Sequence, residues 1–240
     1  MKLRLRATKL GKVRFTSHRD AARMWERALR RAQLPVAFTE GFTPRPKISF
    51  GLALPTGAES IAEYVDIELQ RDIAAADVDL DTLPERLSGA LPNGFDVLAA
   101  VERSHGADSL QESVTSCTWQ LWSDGRLTAD DHRAARRLLD ASELVLERER
   151  KGKRSADDVR PMILDLRPDL TGDRLIADLA TIGRALRPGE LAELAYPHVD
   201  ARDVRALRTH QWLDDDGTRR EVIALPADVD VGTTPQAVLT

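Results

Sequence analysis

The spacing of apolar side chains switches repeatedly between two residues and 3.6, and the order of those switches limits the fold more than any other feature of the sequence. Residues 2–9 and 12–16 alternate, with Leu3 and Leu5 set against Lys2, Arg4 and Arg6, then Val13 and Phe15 beyond Gly11. Alternation of this kind marks strands with one buried face, and a turn at Gly11 would pair the two. Ser17-His18-Arg19-Asp20 has the form of a helix start, with a serine to cap the first turn and an acidic residue three positions on. Ala21, Met24, Trp25, Ala28, Leu29 and Ala32 then recur at helical spacing, and Pro35 forbids continuation, so a helix is predicted over 18–33. Strands over 48–52 and 62–70, a helix over 79–90 and a strand over 95–102 complete a β-α-β-β-α-β order. That order predicts an α+β fold of ferredoxin-like type, with helices on one face of an antiparallel sheet.

The pattern then restarts. Residues 104–113, with Gly106 and few apolar side chains, read as a boundary. Beyond it 113–123 alternates through Cys117, Trp119 and Leu121, and Thr128-Ala129-Asp130-Asp131 opens a helix to about 141. Strands follow near 143–149, 161–167 and 174–180, then a helix near 188–195 and a strand near 204–213. Two ferredoxin-like halves, 1–103 and 113–215, are therefore expected, without a residue-level repeat between them. Residues 226–240, with Pro226, Asp228, Asp230 and Gly232, read as a disordered tail.

Composition narrows the function. No apolar run in the 240 residues approaches the roughly 18 needed to span a bilayer. The start lacks the apolar stretch of a signal peptide, and the single cysteine, Cys117, allows neither an internal disulfide nor a thiolate metal cage, so a cytoplasmic location is expected. The net charge of −4 conceals a strong asymmetry: residues 1–50 hold 13 Lys and Arg against 3 acidic groups, while the remainder holds 22 against 36. A local excess this large can attract polyanions although the whole chain is acidic.

Within that basic segment Arg23, Arg27 and Arg30 fall on one stripe of the predicted helix, flanked by Arg19 and Arg31, with His18 and Arg19 at its start. The stripe is either an anion platform or a solvated face in which Glu26 pairs with Arg30. The turn-rich stretch 39–47 adds Phe42, Arg45 and Lys47 between Pro44 and Pro46. A base stacked on Phe42 with phosphates on Arg45 and Lys47 would be a single-stranded RNA contact; alternatively Phe42 plugs the core and Arg45 pairs with Glu40. Acid–base chemistry would need His18, Glu40 and Lys47 to converge. In the second half Lys151-Gly152-Lys153-Arg154 reads as a basic turn, which with Arg160 either extends the first basic surface or stays local, Arg160 being anchored by Asp157 or Asp158. Histidines 18, 105, 132, 198 and 210 show no metal-ligand spacing, so no metal site is expected, and the absence of G-x-x-x-x-G-K-[ST] and G-x-G-x-x-G runs gives no support for a nucleotide cofactor.

The runs Phe15-Thr16-Ser17-His18-Arg19-Asp20, Glu26-Arg27-Ala28-Leu29-Arg30-Arg31-Ala32 and Leu34-Pro35-Val36 are similar to those of the DUF2344 domain, a radical-SAM-linked family. So is the run from Glu40 through Gly41-Phe42-Thr43-Pro44-Arg45-Pro46-Lys47 to Ile48-Ser49-Phe50. Lys151-Gly152-Lys153 with Asp158-Val159-Arg160-Pro161 resembles a second motif of that family, extending the resemblance to about residue 215. The resemblance implies a freestanding form of a domain elsewhere fused to, or encoded beside, a radical S-adenosylmethionine protein, or encoded near ribonuclease E/G. One cysteine cannot hold an iron–sulfur cluster, so radical chemistry would belong to a partner. The leading expectation is a non-catalytic, RNA-binding accessory module without a cofactor. Its rivals are an RNA-modifying or RNA-processing enzyme using His18 and Glu40, and a protein-interaction adaptor.

Overall fold

The computed structural model describes residues 1–71, 73, 77–103, 109–150, 152–183 and 185–225. The first half contains β1 (Lys2–Lys9), α1 (His18–Arg31), β2 (Ile48–Phe50), β3 (Glu59–Glu68), α2 (Leu83–Ser88) and β4 (Val97–Glu102). Its strands lie in the order β4-β1-β3-β2, each neighbour antiparallel. The second half contains α3 (Leu110–Ser113), β5 (Val114–Trp122), α4 (Ala129–Ala135), α5 (Arg137–Asp140), β6 (Val145–Arg150), β7 (Lys153–Asp158), β8 (Ile163–Pro168), β9 (Leu175–Ala180), α6 (Pro188–Ala195), β10 (Arg205–Asp215) and β11 (Thr218–Glu221). Here the order is β10-β5-β9-β8, again antiparallel, with β11 on β10 and β6–β7 as a separate ribbon.

The fold is thus α+β and mainly antiparallel, but the sheets of the two halves are fused. β10 pairs in parallel with β3 through Leu207–Glu59 and Arg208–Ser60, which makes one nine-stranded sheet. There are two cores: Leu3, Leu5, Trp25, Leu29, Val65 and Ile67 in the first half, and Trp119, Leu121, Leu138, Leu175, Leu191 and Tyr196 in the second, which Ala58, Ala62 and Tyr64 of the first half also join. Burying a side chain of the size of Trp25 or Leu29 contributes about 1.5–3 kcal/mol, which is what fixes the orientation of α1.

Several sequence expectations are corrected by pairing. Residues 12–16 form no strand; Gly11–Phe15 is a 3-10 helix. Both edges of β1 are already taken, by β3 and β4, so a hairpin partner has nowhere to bond. The chain instead turns at Gly11, whose N–H donates to Glu59 at 2.7 Å. The same crowding buries Arg4 and Arg6, although alternation predicts them at a solvent face. The helix expected to 141 breaks at Arg136 into α4 and α5. Lys153 and Arg154 lie on β7 rather than in a turn, paired across the ribbon with Arg150 and Glu149. The tail over 226–240 lies outside the described residues. No described helix is long and apolar enough to cross a membrane.

Candidate nucleic-acid interface

α1 begins as its sequence dictates: Ser17 Oγ accepts from the Asp20 N–H at 3.2 Å and donates to the Asp20 carboxylate at 2.7 Å. The helix ends at Arg31, with Gln33 in a left-handed conformation (φ 53°) before Pro35. Because Ala21, Trp25, Ala28 and Leu29 are buried, Arg19, Arg23, Arg27 and Arg30 are presented to solvent. Arg23 lies 3.4 Å from Asp20, whereas Arg19, Arg27 and Arg30 make no ion pair among the described residues, and the alternative Glu26–Arg30 pair is not formed.

Not all thirteen N-terminal cations are available to a ligand. Arg4 forms a two-pronged contact with Asp66 at 2.7 and 2.8 Å, with Arg103 3.4 Å away on the same carboxylate. Arg6 is tied to Glu221 and to three carbonyls. Lys9 donates to the Thr16 carbonyl at 2.9 Å, and burial lowers its pKa, opposed by Glu63. Arg31 donates to the Ala90 carbonyl at 2.9 Å. Lys2 and Lys47 share Glu68. Arg14 donates to the Gly11 carbonyl at 3.2 Å and lies 3.9 Å from Glu59. What remains is a smaller set, Lys12, Arg19, Arg27, Arg30 and Arg45, together with the loosely held Arg23.

The loop carrying Phe42 is a closed excursion. Thr39 N–H donates to the Arg45 carbonyl at 2.8 Å, Arg45 N–H donates to Thr39 Oγ1 at 3.0 Å, and Phe38 bridges Pro46. Phe42 stands at its tip fully exposed, so it does not plug the core, and Phe38 is half exposed. The base of the loop and α1 share a groove of about 230 Å³ lined by Phe38, Pro46, Glu26 and Arg30. Arg45 is exposed and forms no pair with Glu40. Lys47 departs from the expected ligand set: its ammonium is 2.7 Å from Glu68, a contact that holds the Glu68 carboxyl below its usual range.

His18, Glu40 and Lys47 do not meet. The His18 ring stands edge-on to Phe50 with centroids 5.1 Å apart, at a narrow cleft also lined by Lys9, Trp25 and Glu63. Glu40 is on the exposed loop, and Lys47 lines a different cleft with Lys2 and Asp66. The carboxylate facing the His18 cleft is Glu63 of β3, which sequence reading missed. Its partner is the fully buried Arg208, whose Nη2 donates to it at 2.6 Å. β10 mixes apolar residues with Arg205, Thr209, His210 and Gln211, so nothing local in the sequence singled out Arg208 for that pair.

In the second half, Lys151 lies outside the described residues, as does the side chain of Lys153. Arg160, expected either to extend the basic surface or to be anchored by Asp157 or Asp158, holds backbone carbonyls. Its guanidinium donates twice to the Leu139 carbonyl, at 3.2 and 2.7 Å, and once to that of Ile163 at 2.8 Å. Asp158 instead accepts from the backbone N–H groups of Leu144 and Arg160, which lowers its pKa.

Residues 2–188 match the model of a family of uncharacterized proteins conserved in bacteria, DUF2344. The chain belongs to the DUF2344 family. No curated protein matches the sequence. The DUF2344 match spans β1 to the first residue of α6, so it contains the whole α1 stripe and the Phe42 loop, and ends short of the expected limit near 215. β10, which fuses the two sheets, lies beyond the DUF2344 match.

Proposed function

We propose that this DUF2344 protein is an RNA-binding module with two ferredoxin-like halves, 1–103 and 113–215, that acts as an accessory to a catalytic partner in the cytoplasm. The observation that carries the binding reading is the groove between α1 and the base of the Phe42 loop, where Arg30, which makes no ion pair among the described residues, lies beside the half-exposed Phe38, with the exposed Phe42 at the tip of the same loop. Single-stranded RNA needs that combination, because phosphates require unpaired cations and unstacked bases require exposed rings. The strand order 4-1-3-2 within each half supports the ferredoxin-like description. The accessory role fits a surface on which His18 and Glu40 share no contact, and a sole cysteine that is buried. The partner is the radical-SAM protein or ribonuclease E/G-type enzyme that the family resemblance implies.

The test is the salt dependence of oligoribonucleotide binding by fluorescence anisotropy. Each phosphate contact contributes about −0.7 to the log–log slope, so contacts from Arg19, Arg23, Arg27 and Arg30 give roughly −3. Arg19→Ala combined with Arg27→Ala should reduce the slope by about 1.4 and leave stability within about 0.5 kcal/mol. Absence of binding at low salt, or a slope untouched by the double substitution, refutes the reading.

A further inference from the structure

A large cleft lies apart from the α1 stripe, where the halves join. Residues 52–56 form one wall and Thr181, Gly183 and 185–188 the other, over a floor of Cys117, Trp119, Leu179 and Arg208, enclosing about 850 Å³. A volume of this order suits a drug- or nucleotide-sized ligand. Among the described lining residues there are three arginines, Arg148, Arg187 and Arg208, and no Asp or Glu. That is the opposite of what residues 51–240 would supply at random, since they are acidic overall.

The three cations differ in what already holds them. Arg148 makes a two-pronged pair with Glu190, at 2.8 and 2.7 Å, and reaches the Ala185 carbonyl at 3.4 Å, so it braces the wall. Glu190 also accepts from the Arg187 N–H, which occupies the N-terminus of α6. The Arg187 side chain is exposed and makes no ion pair among the described residues. Arg208 is 1% exposed; its Nη2 donates to Glu63 and, at 3.0 Å, to the Leu52 carbonyl, and its guanidinium lies 5.6 Å from the Trp119 ring centre. Its Nε has no acceptor among the described residues, the Cys117 thiol on the same floor being a further neighbour of this guanidinium. A buried N–H donor without a partner is rare and costly in a native protein, and here it belongs to a guanidinium on the floor of a cleft with no carboxylate among its described lining residues.

We infer that this cleft binds an organic phosphate of mononucleotide size, its phosphate between Arg187 and Arg208 and its body against Leu54, Leu179 and Leu186. The site is independent of the RNA surface. Residues 52–54 line both this cleft and that of His18, yet none of Arg19, Arg23, Arg27 and Arg30 lines either.

Calorimetric titration of the full chain with nucleoside 5′-monophosphates, the matching nucleosides and inorganic phosphate tests the inference. Ala53 is exposed on the cleft wall, so Ala53→Trp fills the space without entering a core, and Arg187→Glu reverses an unpaired charge. A monophosphate should bind one-to-one with roughly micromolar affinity, at least about tenfold tighter than its nucleoside or inorganic phosphate. Arg187→Glu should weaken it about tenfold or more and Ala53→Trp should abolish it, while the unliganded melting temperatures of both stay near that of the parent. Arg19→Ala with Arg27→Ala should leave it unchanged. No saturable binding by any monophosphate up to about 1 mM, binding that survives both cleft variants, or binding lost with the α1 arginines overturns the inference.

Discussion

Replacing Arg6 by methionine separates the structural cations from those left for a ligand. The Arg6 side chain is 2% exposed and joins four segments: Nε donates to Ile61 O at 3.1 Å, Nη1 to Glu221 at 2.5 Å and Ile223 O at 2.7 Å, and Nη2 to Thr209 O at 3.3 Å. Methionine fills similar length but donates nothing. Three carbonyls lose a partner, and the Glu221 carboxylate, 15% exposed, keeps among the described residues His210 at 3.9 Å. Breaking a buried pair from one side costs about 3–5 kcal/mol, because the stranded charge cannot recover its hydration. Against a typical stability of about 5–15 kcal/mol that is a large fraction of the total. Urea unfolding followed by circular dichroism at neutral pH reads it as a lower midpoint with unchanged slope. Combining Arg6→Met with Glu221→Met removes the stranded charge, so the double variant should be more stable than Arg6→Met alone. A loss below about 1 kcal/mol in the single variant, or additive losses in the double, refutes the reasoning.

Three further outcomes follow from particular contacts. Arg45→Ala with Lys47→Ala should change the melting temperature little, because Arg45 is unpaired and the partly exposed Lys47–Glu68 pair is worth about 0–1 kcal/mol, while RNA affinity falls; a large loss of stability would show the loop cations to be structural. Gly94→Ala should destabilise by about 1–3 kcal/mol in thermal melts, since φ is +95° and an added Cβ would lie 2.3 Å from the Leu10 carbonyl; a neutral effect would refute that approach. Burial lowers the pKa of His132 and His210, and a base with a lowered folded pKa takes up protons more readily when unfolded. Their contribution is therefore complete above about pH 6.5 and is lost as pH falls, so urea midpoints should drop between about pH 7.5 and 5.5; a flat or rising profile contradicts this.

What could be read in the sequence was local. α1 was legible because its cap, its apolar stripe and Pro35 all lie within twenty residues of one another and act through neighbouring backbone. β3 was legible because Val65, Ile67 and Leu69 alternate with Asp66 and Glu68. The β6–β7 ribbon was half missed because β7 holds Lys153, Arg154, Asp157 and Asp158, with no apolar alternation to mark it. The roles of Arg6 and Arg160 were hidden for a different reason. Their acceptors include backbone carbonyls, which every residue carries, so no residue type in the sequence identifies the partner. Glu63 rather than Glu40 faces His18 for the same long-range reason: β3 is brought there by sheet pairing, not by chain proximity.

The fusion of the sheets is where local and long-range information meet. The parallel β3–β10 pairing covers only two residue pairs, too short a ladder to fix its own register. Two carboxylates of β3 do so instead. Glu59 accepts from Arg205 at 2.7 Å and Glu63 from Arg208 at 2.6 Å. A slip of one residue would turn both side chains of one strand to the opposite face and break both of these ion pairs, so the misregistered sheet is penalised. Glu59 also accepts from the Gly11 N–H, and Lys9 holds the Thr16 carbonyl just before the α1 cap. The junction that sets the floor of the Arg208 cleft therefore also sets the entry of α1. Two surfaces that share no lining arginine are positioned by the same pair of glutamates, and a ligand that shifts Arg208 against Glu63 acts on β3, whose Glu59 also holds the Gly11 turn that leads into α1.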